Sequence, residues 1–196
     1  INIPGEFNKV NALAAATFAR SIGVSEDNIT NALAHLTHIP GRVEEINAGQ
    51  DFKVVVDYAH TADSLEKLYK TYKGSKIAVI GSCGGGRDKA KRPILGALAD
   101  KYCDTVIVTD ENPYEDDVDE IINDVASGVT TQDPIIEADR RSAIRLAISK
   151  AKTGDTVLIT GKGTDPYIMR ANGEREIWSD SRVAREEIEK FLATTV

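Results

Sequence analysis

The chain has 196 residues, of which 41% are apolar and 28% are charged, and its formal net charge is −7. This length and apolar fraction predict one α/β domain with room for an appendage. The acidic balance, without a basic block, argues against nucleic acid or an anionic membrane surface as a partner. The apolar runs fall far short of the ~20 residues of a membrane helix, and two cysteines are typical of a reducing compartment. We therefore expect a cytoplasmic protein, and small charged molecules remain open as its ligands.

The first 40 residues predict two short helices. An alanine-rich stripe begins near residue 8 and breaks at Gly23, and Ser25 then has the position of an N-cap before a second apolar stripe. Pro40-Gly41 marks a turn, after which strand patterns replace helical ones. This change in pattern near residue 40 is the clearest compositional boundary in the chain.

Beyond that turn, β-branched runs alternate with helical patterns. The predicted strands are 43–46, 52–56, 77–81, 105–110, 133–138 and 156–161, and the predicted helices are 63–72, 91–101, 117–125, 141–150 and 181–192. Continuous apolar strands flanked by helices predict an α/β fold, a mostly parallel sheet with helices on both faces. Ligands bind such sheets at the carboxyl ends of the strands, so the residues that follow each strand are the first candidates for a site.

The strand 77–81 runs into a glycine-rich loop and a basic helix start, IAVIGSCGGGRDKAKR. Free N–H groups and the helix dipole attract an anion there, and glycine lets the backbone approach it closely. The segment is not a P-loop, because Arg87 and Asp88 stand where that motif needs Lys and Ser/Thr. Arg87 offers a fork-shaped guanidinium suited to a carboxylate. The alternative is a turn that only reverses the chain, with Arg87 in solvent.

Three residues beside the first two predicted strands are further candidates for a site. Asp57 can accept hydrogen bonds from the hydroxyls of a ribose, or it can cap the helix that starts near Thr61. His60 is either a general base, a neutral hydrogen-bonding group or a structural histidine. Arg42, in the turn before the first strand, can reach a phosphate or lie in solvent.

The segments at the ends of strands 105–110 and 156–161 carry less specific signals. The DENPY segment, 110–114, suits a cationic amine or is an acidic helix start favoured by the dipole. The GKGTD segment, 161–165, is a second turn favourable to anions, or one in which Lys162 is merely solvated. Met169 and Trp178 are most simply core residues.

Taken in order, these motifs resemble the C-terminal part of a Mur ligase, most closely the MurE-like UDP-N-acetylmuramoyl-tripeptide synthetase branch. The matching segments are PGEFNKVNALAA, PGRVE, VVVDYAHTADSLEK, GSCGGGRDKAKRPILGALA, VTDENPYEDD, ITGKGTDPY and WSDSRVA. The resemblance implies a Rossmann-like C-terminal domain over 41–196, preceded over 1–40 by the helical end of the central, ATP-binding domain. It also implies an ATP-dependent, ADP-forming amide ligase of peptidoglycan synthesis, with the roles in cell wall biogenesis, cell shape and cell division that follow.

The reaction implied by the resemblance uses an acyl phosphate. ATP phosphorylates the carboxylate of UDP-MurNAc-L-Ala-D-Glu, and an incoming diamino acid attacks it; the cofactors are ATP and Mg²⁺, whose ligands lie mainly in the central domain. No P-loop sequence occurs in this chain. We therefore expect a fragment that is inactive alone, holds no catalytic residue or metal ligand, and works with the N-terminal and central domains of the same enzyme. The alternatives are a related ligase of folylpolyglutamate or cyanophycin type, and a non-catalytic amino-acid-binding module.

The resemblance also assigns two groups of residues. The nucleotide-binding group contains Asn8 and Asn11 near the adenine, Arg42 at the terminal phosphate, Asp57 on the ribose, and His60. The amino-acid-binding group contains Arg87 on the α-carboxylate, with Glu111, Asn112, Pro113, Tyr114, Gly161 and Asp165.

The amino-acid group departs from the family pattern in two places. Enzymes that add meso-diaminopimelate have a D-N-P-R segment whose arginine meets the distal carboxylate, and here that place is Tyr114. We therefore expect lysine or a similar amino acid to be favoured, with Glu111, Glu115 and Asp116 suited to a distal ammonium. Thr164-Asp165 replaces the family's His-Glu, which shortens the acidic side chain by one methylene.

Overall fold

The computed structural model describes residues 1–195. Within that range the helices are α1 (Glu6–Ser21), α2 (Glu26–His35), α3 (Ala62–Thr71), α4 (Lys91–Tyr102), α5 (Val118–Ala126), α6 (Arg140–Lys150) and α7 (Asp180–Thr195). The strands are β1 (Glu44–Glu45), β2 (Lys53–Asp57), β3 (Lys76–Ile80), β4 (Thr105–Val108), β5 (Ile135–Ile136), β6 (Thr156–Thr160), β7 (Tyr167–Met169) and β8 (Arg175–Ile177), with a 3₁₀ turn at Ala171–Gly173.

Six strands form one sheet in the order β1-β2-β6-β3-β4-β5. Strand β1 pairs with β2 in antiparallel orientation, and the other neighbours in this sheet are parallel. The predicted mostly parallel sheet is thus confirmed. Strands β7 and β8 form a separate antiparallel hairpin.

Helices cover both faces of the sheet because its central strands are apolar on both sides. Val55 of β2 belongs to one core, which includes side chains of α3, α4 and α5. Its neighbours Val54 and Val56 belong to the other core, which includes side chains of α6 and α7. Strand β6 is buried at every position, which explains its unbroken run of β-branched and aliphatic residues.

None of the helices in residues 1–195 combines the length and apolar character needed to cross a membrane.

The parallel strands bring their carboxyl ends to one edge of the sheet. Asp57 at the end of β2 pairs in register with Thr160 at the end of β6, and Ile80 of β3 pairs with Val108 of β4. The loops that follow these four strands therefore begin side by side, as the sequence predicted.

Two features of the predicted topology need correction. The predicted strands 43–46 and 133–138 shrink to two residues each, since they lie at the edges of the sheet with only one neighbouring strand to pair with. The hairpin β7–β8 was not predicted, because its strands are short and every residue of β8 is exposed. The Asn172-Gly173 pair in its turn, with Asn172 at φ 56°, is the signal that could have identified it.

Candidate functional site

The predicted nucleotide-binding residues lie around one cavity. The cavity has a volume of about 520 Å³ and lies between α1, α2 and the loop that joins β2 to α3. All five residues of the group line it, namely Asn8, Asn11, Arg42, Asp57 and His60. Apolar side chains contribute further lining, among them Ile3, Phe7 and Leu36. A cavity with an apolar lining and a few polar groups has the composition of a small-molecule site.

Asp57 is buried at the carboxyl end of β2 and is held by two backbone groups. Its Oδ2 accepts a hydrogen bond from the Val43 amide, and its Oδ1 accepts one from the Ala59 amide, both at 2.7 Å. Burial raises the pKa of this carboxyl group, and the two hydrogen bonds partly offset that effect. Each carboxylate oxygen retains acceptor capacity, so the oriented group can still bind hydroxyls. The alternative reading as a helix cap is wrong, because Thr61 caps α3.

Arg42 and His60 each contact the ring of Tyr58. The Arg42 guanidinium carbon lies 4.5 Å from the centre of the Tyr58 ring, and the His60 ring packs edge-on at 4.8 Å. His60 Nδ1 also lies 2.8 Å from the Tyr58 carbonyl oxygen. When His60 is neutral, this contact places the proton on Nδ1 and leaves Nε2 as an acceptor. Sequence analysis missed Tyr58, although an aromatic residue one position after a strand-end carboxylate was the available signal.

The two asparagines of α1 differ in accessibility. Asn8 is buried, its Nδ2 donates to the Pro4 carbonyl at 2.6 Å, and its Oδ1 accepts from Asn11 Nδ2 at 3.4 Å. Asn11 is exposed at the cavity. Asn8 therefore orients Asn11, whose side-chain amide is the exposed one of the pair.

The predicted amino-acid-binding residues form a second, contiguous group at the ends of β3, β4 and β6. The Arg87 guanidinium stacks over the Tyr114 ring at 4.5 Å, and its Nη2 donates to Tyr114 Oη at 3.1 Å. Asn112 Nδ2 donates to Asp165 Oδ2 at 3.4 Å. Arg87 is exposed and Asp165 is partly exposed, so a cation and an anion are both accessible in the group.

Gly161 and Glu111 connect the loops after β6 and β4. Gly161 has φ 105°, and a Cβ at this position would collide with the Glu111 carboxylate, so only glycine fits. Glu111 is 2% exposed, and its Oε1 accepts a hydrogen bond from the Cys83 thiol at 2.9 Å. Burial raises the pKa of Cys83 to about 12, and the Glu111 carboxylate adds to the shift. The two side chains thus link the loops after β3 and β4.

Lys162 is buried beneath the second group and forms hydrogen bonds with two of its neighbours. Its side chain is fully buried, and its Nζ donates to Asn112 Oδ1 at 2.9 Å and to the Tyr167 carbonyl at 2.7 Å, with Asp165 Oδ2 at 3.8 Å. Burial lowers the pKa of this ammonium, and the nearby charge of Arg140 adds to the effect. The interpretation of Lys162 as a solvated turn residue is therefore wrong.

Of the acidic residues expected to suit a distal ammonium, Glu111 is buried and Asp116 is ion-paired, whereas Glu115 is exposed. Asp116 forms an ion pair with the buried Arg92 at 3.1 Å, and Glu115 accepts a hydrogen bond from the backbone N–H of Asn172 at 2.7 Å. Glu111 is buried beside Cys83. Asp165, with 39% of its side chain exposed, is accessible beside Glu115. Within residues 1–195, His, Cys, Asp and Glu side chains form no cluster of three or more that suits a metal ion.

Comparison with known proteins identifies the domain. The family model described as "Mur ligase, glutamate ligase domain" matches residues 41–163. UDP-N-acetylmuramoyl-L-alanyl-D-glutamate–2,6-diaminopimelate ligase of Syntrophomonas wolfei is 44% identical over 189 residues, and the enzyme of the same name from Fusobacterium nucleatum is 40% identical over 189 residues. These alignments cover 93% and 94% of this chain but only 38% and 39% of the relatives.

Solved structures agree with this assignment. A structure of UDP-N-acetylmuramoyl-L-alanyl-D-glutamate–2,6-diaminopimelate ligase, 33% identical, superposes with a TM-score of 0.73 over 96% of this chain and 39% of that one. A Mycobacterium tuberculosis folylpolyglutamate synthase, at 22% identity and a TM-score of 0.63 over 81% of this chain and 38% of that one, shares the fold. The resemblance read from the motifs is confirmed, and the chain belongs to the Mur ligase family, in which most of it is the glutamate ligase domain.

Proposed function

We propose that the chain is the C-terminal, amino-acid-binding part of an ATP-dependent, ADP-forming ligase of peptidoglycan synthesis. The observation that carries this proposal is the arrangement of two groups at one sheet edge, with Asp57 and Arg42 in one and Arg87 and Asp165 in the other. A nucleotide and an amino acid bound there would lie close together. The named relatives, which are ligases of UDP-MurNAc-dipeptide, support the same activity.

The first group has the chemistry that a nucleotide requires. Asp57 presents oriented carboxylate oxygens to ribose hydroxyls, Asn11 offers an amide to the base, and Arg42 carries a positive charge toward a phosphate. His60 completes the group from the loop before α3. ATP would supply the phosphoryl group that activates the carboxylate of UDP-MurNAc-L-Ala-D-Glu, and this chain's residues would bind and orient it. Mg²⁺ would be held mainly by the central domain.

The second group would hold the incoming diamino acid. Arg87 would pair with its α-carboxylate, and Asp165 would meet an ammonium. Glu111, Asn112, Pro113 and Gly161 would form the surrounding wall. Tyr114 brings no positive charge to this wall, which favours lysine or ornithine over a dicarboxylic amino acid. The names of the relatives favour 2,6-diaminopimelate instead, which is the competing substrate.

The domain organisation follows from the same proposal. Residues 1–40 would be the helical end of the central domain, and residues 41–196 the C-terminal domain. The chain spans about 39% of the length of its relatives, so the N-terminal and central domains would supply the P-loop and bind the UDP-sugar. The fragment would then be inactive alone, in a cytoplasmic enzyme that serves cell wall growth, cell shape and division.

The decisive experiment measures phosphate release by the full-length enzyme with ATP and UDP-MurNAc-dipeptide. Lysine, ornithine and meso-diaminopimelate are offered separately to the wild type and to Tyr114→Arg. We expect wild-type turnover with a monocarboxylic diamino acid, and we expect Tyr114→Arg to shift the ratio of kcat/KM values toward diaminopimelate by about tenfold, the size of one added charged contact.

The other outcomes separate the alternatives. Wild-type preference for diaminopimelate would keep the ligase and overturn the lysine preference. Turnover only with a folate and glutamate would favour the folylpolyglutamate branch. Amino-acid binding without any phosphate release would favour a non-catalytic module.

A further inference from the structure

The Arg87 side chain is held in place by its own chain, although it lies on the surface. Its guanidinium carbon is 4.5 Å from the centre of the Tyr114 ring, and its Nη2 donates to the Tyr114 hydroxyl at 3.1 Å. Its Nη1 donates to the Gly85 carbonyl at 3.0 Å. A long exposed side chain loses much rotational freedom when it is ordered. These three contacts provide that order before any ligand arrives.

The backbone around Tyr114 is arranged to support this contact. Tyr114 has φ 54°, a left-handed conformation that is uncommon for a residue other than glycine. Its N–H donates to the Met169 carbonyl at 3.0 Å, which anchors it to β7. Gly85 lies directly against the ring, since a Cβ there would be 2.7 Å from Tyr114 Cγ. Such conformations persist where surrounding contacts impose them, and they concentrate at binding sites.

The contacts leave the guanidinium able to bind an anion. Arginine has five N–H donors, and the described part of the chain engages one on Nη1 and one on Nη2. The Tyr114 ring occupies one face of the planar group. A carboxylate can therefore approach in the plane and pair with two of the remaining donors.

We infer that Tyr114 is a positioning residue that orients Arg87 for the carboxylate of the incoming amino acid. This inference rests on the proposed function. In it, Tyr114 affects amino-acid binding through Arg87, because the ring and hydroxyl fix the guanidinium that makes the ionic contact. The ordered arginine then pays less entropy when the substrate binds.

The test is a double-mutant cycle in the full-length enzyme, with KM measured for the preferred diamino acid and for ATP. We expect Tyr114→Leu to raise the amino-acid KM about tenfold and the ATP KM less than about twofold. Tyr114→Phe keeps the ring and loses only the hydrogen bond of the hydroxyl. Its amino-acid KM should therefore lie between those of the wild type and Tyr114→Leu. In an Arg87→Ala background, Tyr114→Leu adds less than about twofold, since no guanidinium remains to be oriented.

Tyr72→Phe is the matched control. It removes a hydroxyl that donates to Glu45 at 3.0 Å outside both groups of site residues, and it should leave both KM values unchanged. Additive effects of Tyr114→Leu and Arg87→Ala would overturn the inference, as they would mean that Tyr114 binds the amino acid directly. Unchanged KM values in both Tyr114 variants would also overturn it. A wild-type enzyme that releases no phosphate with any diamino acid would refute the proposed function itself, and the inference with it.

Discussion

Arg87 combines exposure with an ordered side chain, so its removal should affect one substrate selectively. We predict that Arg87→Ala in the full-length enzyme lowers kcat/KM for the diamino acid, with little change in the KM for ATP. A lost charged hydrogen bond costs about 1.5–3 kcal/mol, which corresponds to roughly 10- to 150-fold. Steady-state phosphate release at varied amino acid and varied ATP separates the two effects.

Arg145→Ala is a matched control, because Arg145 is exposed on α6 and its guanidinium donates to Ser142 Oγ at 2.8 Å, away from both groups of site residues. It should leave both kinetic constants unchanged. An unaltered amino-acid dependence in Arg87→Ala would contradict the assignment of the carboxylate contact.

Cys83 lies in the glycine-rich loop, yet it should behave as an inert thiol. Burial raises its pKa to about 12, with the Glu111 carboxylate as a further cause. Because the thiolate is the reactive form, we predict slow alkylation of native Cys83 by iodoacetamide from pH 7 to pH 9, and fast alkylation after unfolding. Peptide mass spectrometry gives the rate at each cysteine.

Cys103, in the core with a pKa also raised to about 12 by burial, is the internal reference. The two cysteines should be protected to a similar degree. Rapid native modification of Cys83 at neutral pH would show that its hydrogen bond to Glu111 does not persist in solution.

At the scale of elements, Lys162 joins three segments that are distant in sequence. It connects the loop after β4, through Asn112, and the hairpin, through Tyr167, to its own loop after β6. We predict that Lys162→Met lowers the free energy of unfolding by about 2–4 kcal/mol, because the Tyr167 carbonyl loses the hydrogen bond from Nζ and Asn112 Oδ1 keeps the Met169 N–H but loses the Lys162 donor. Urea denaturation measures the loss.

Lys152→Met is the comparison, as Lys152 is an exposed lysine in the turn before β6; its effect should stay within about 0.5 kcal/mol. Equal stabilities of the two variants would mean that the Lys162 ammonium contributes nothing net to the fold.

Elements were predictable where the local pattern was strong. Helix α3 begins within a residue of its predicted start because Thr61 and Ser64 form a capping box. Strands β2, β3 and β6 are long, β-branched and buried. The two-residue strands β1 and β5 depend on pairing with one neighbour at the sheet edge, a tertiary effect that no local run of residues encodes.

At the scale of the whole molecule, α1 carries an apolar stripe that the described chain leaves exposed. Val10, Leu13 and Phe18 of α1, and Ile22 directly after the helix, are each 65–68% exposed. Because the relatives are more than twice as long as this chain, we propose that another part of the full-length enzyme covers this stripe. This agrees with the proposed assignment of residues 1–40 to the central domain.

The prediction is that backbone amides of α1 exchange hydrogen much more slowly in the full-length enzyme than in the 196-residue chain. Helix α6, which packs against α7 within this chain, is the reference and should exchange at similar rates in the two proteins. Equal exchange of α1 in the two proteins would contradict the proposed contact. Hydrogen–deuterium exchange with mass spectrometry resolves the two helices.

The sequence by itself determined the fold class and the residues available for chemistry. Unbroken β-branched runs between helical patterns require a sheet buried on both faces, and parallel strands bring their carboxyl ends to one edge. The positions of Asp57, Arg87 and Asp165 at that edge follow from this alone. Their grouping by motif agrees with the family that the comparisons confirmed.

Only the tertiary structure decided which of these groups are free to act. Lys162 is buried and Asp116 is paired with Arg92, while Asp165 stays accessible. Arg87 rests on Tyr114, which is 27 positions away along the chain. Burial, ion pairing and stacking require residues from distant segments to be in contact, and these contacts form only when the strands assemble. Residue types and spacing therefore identify the participants, and packing assigns their roles.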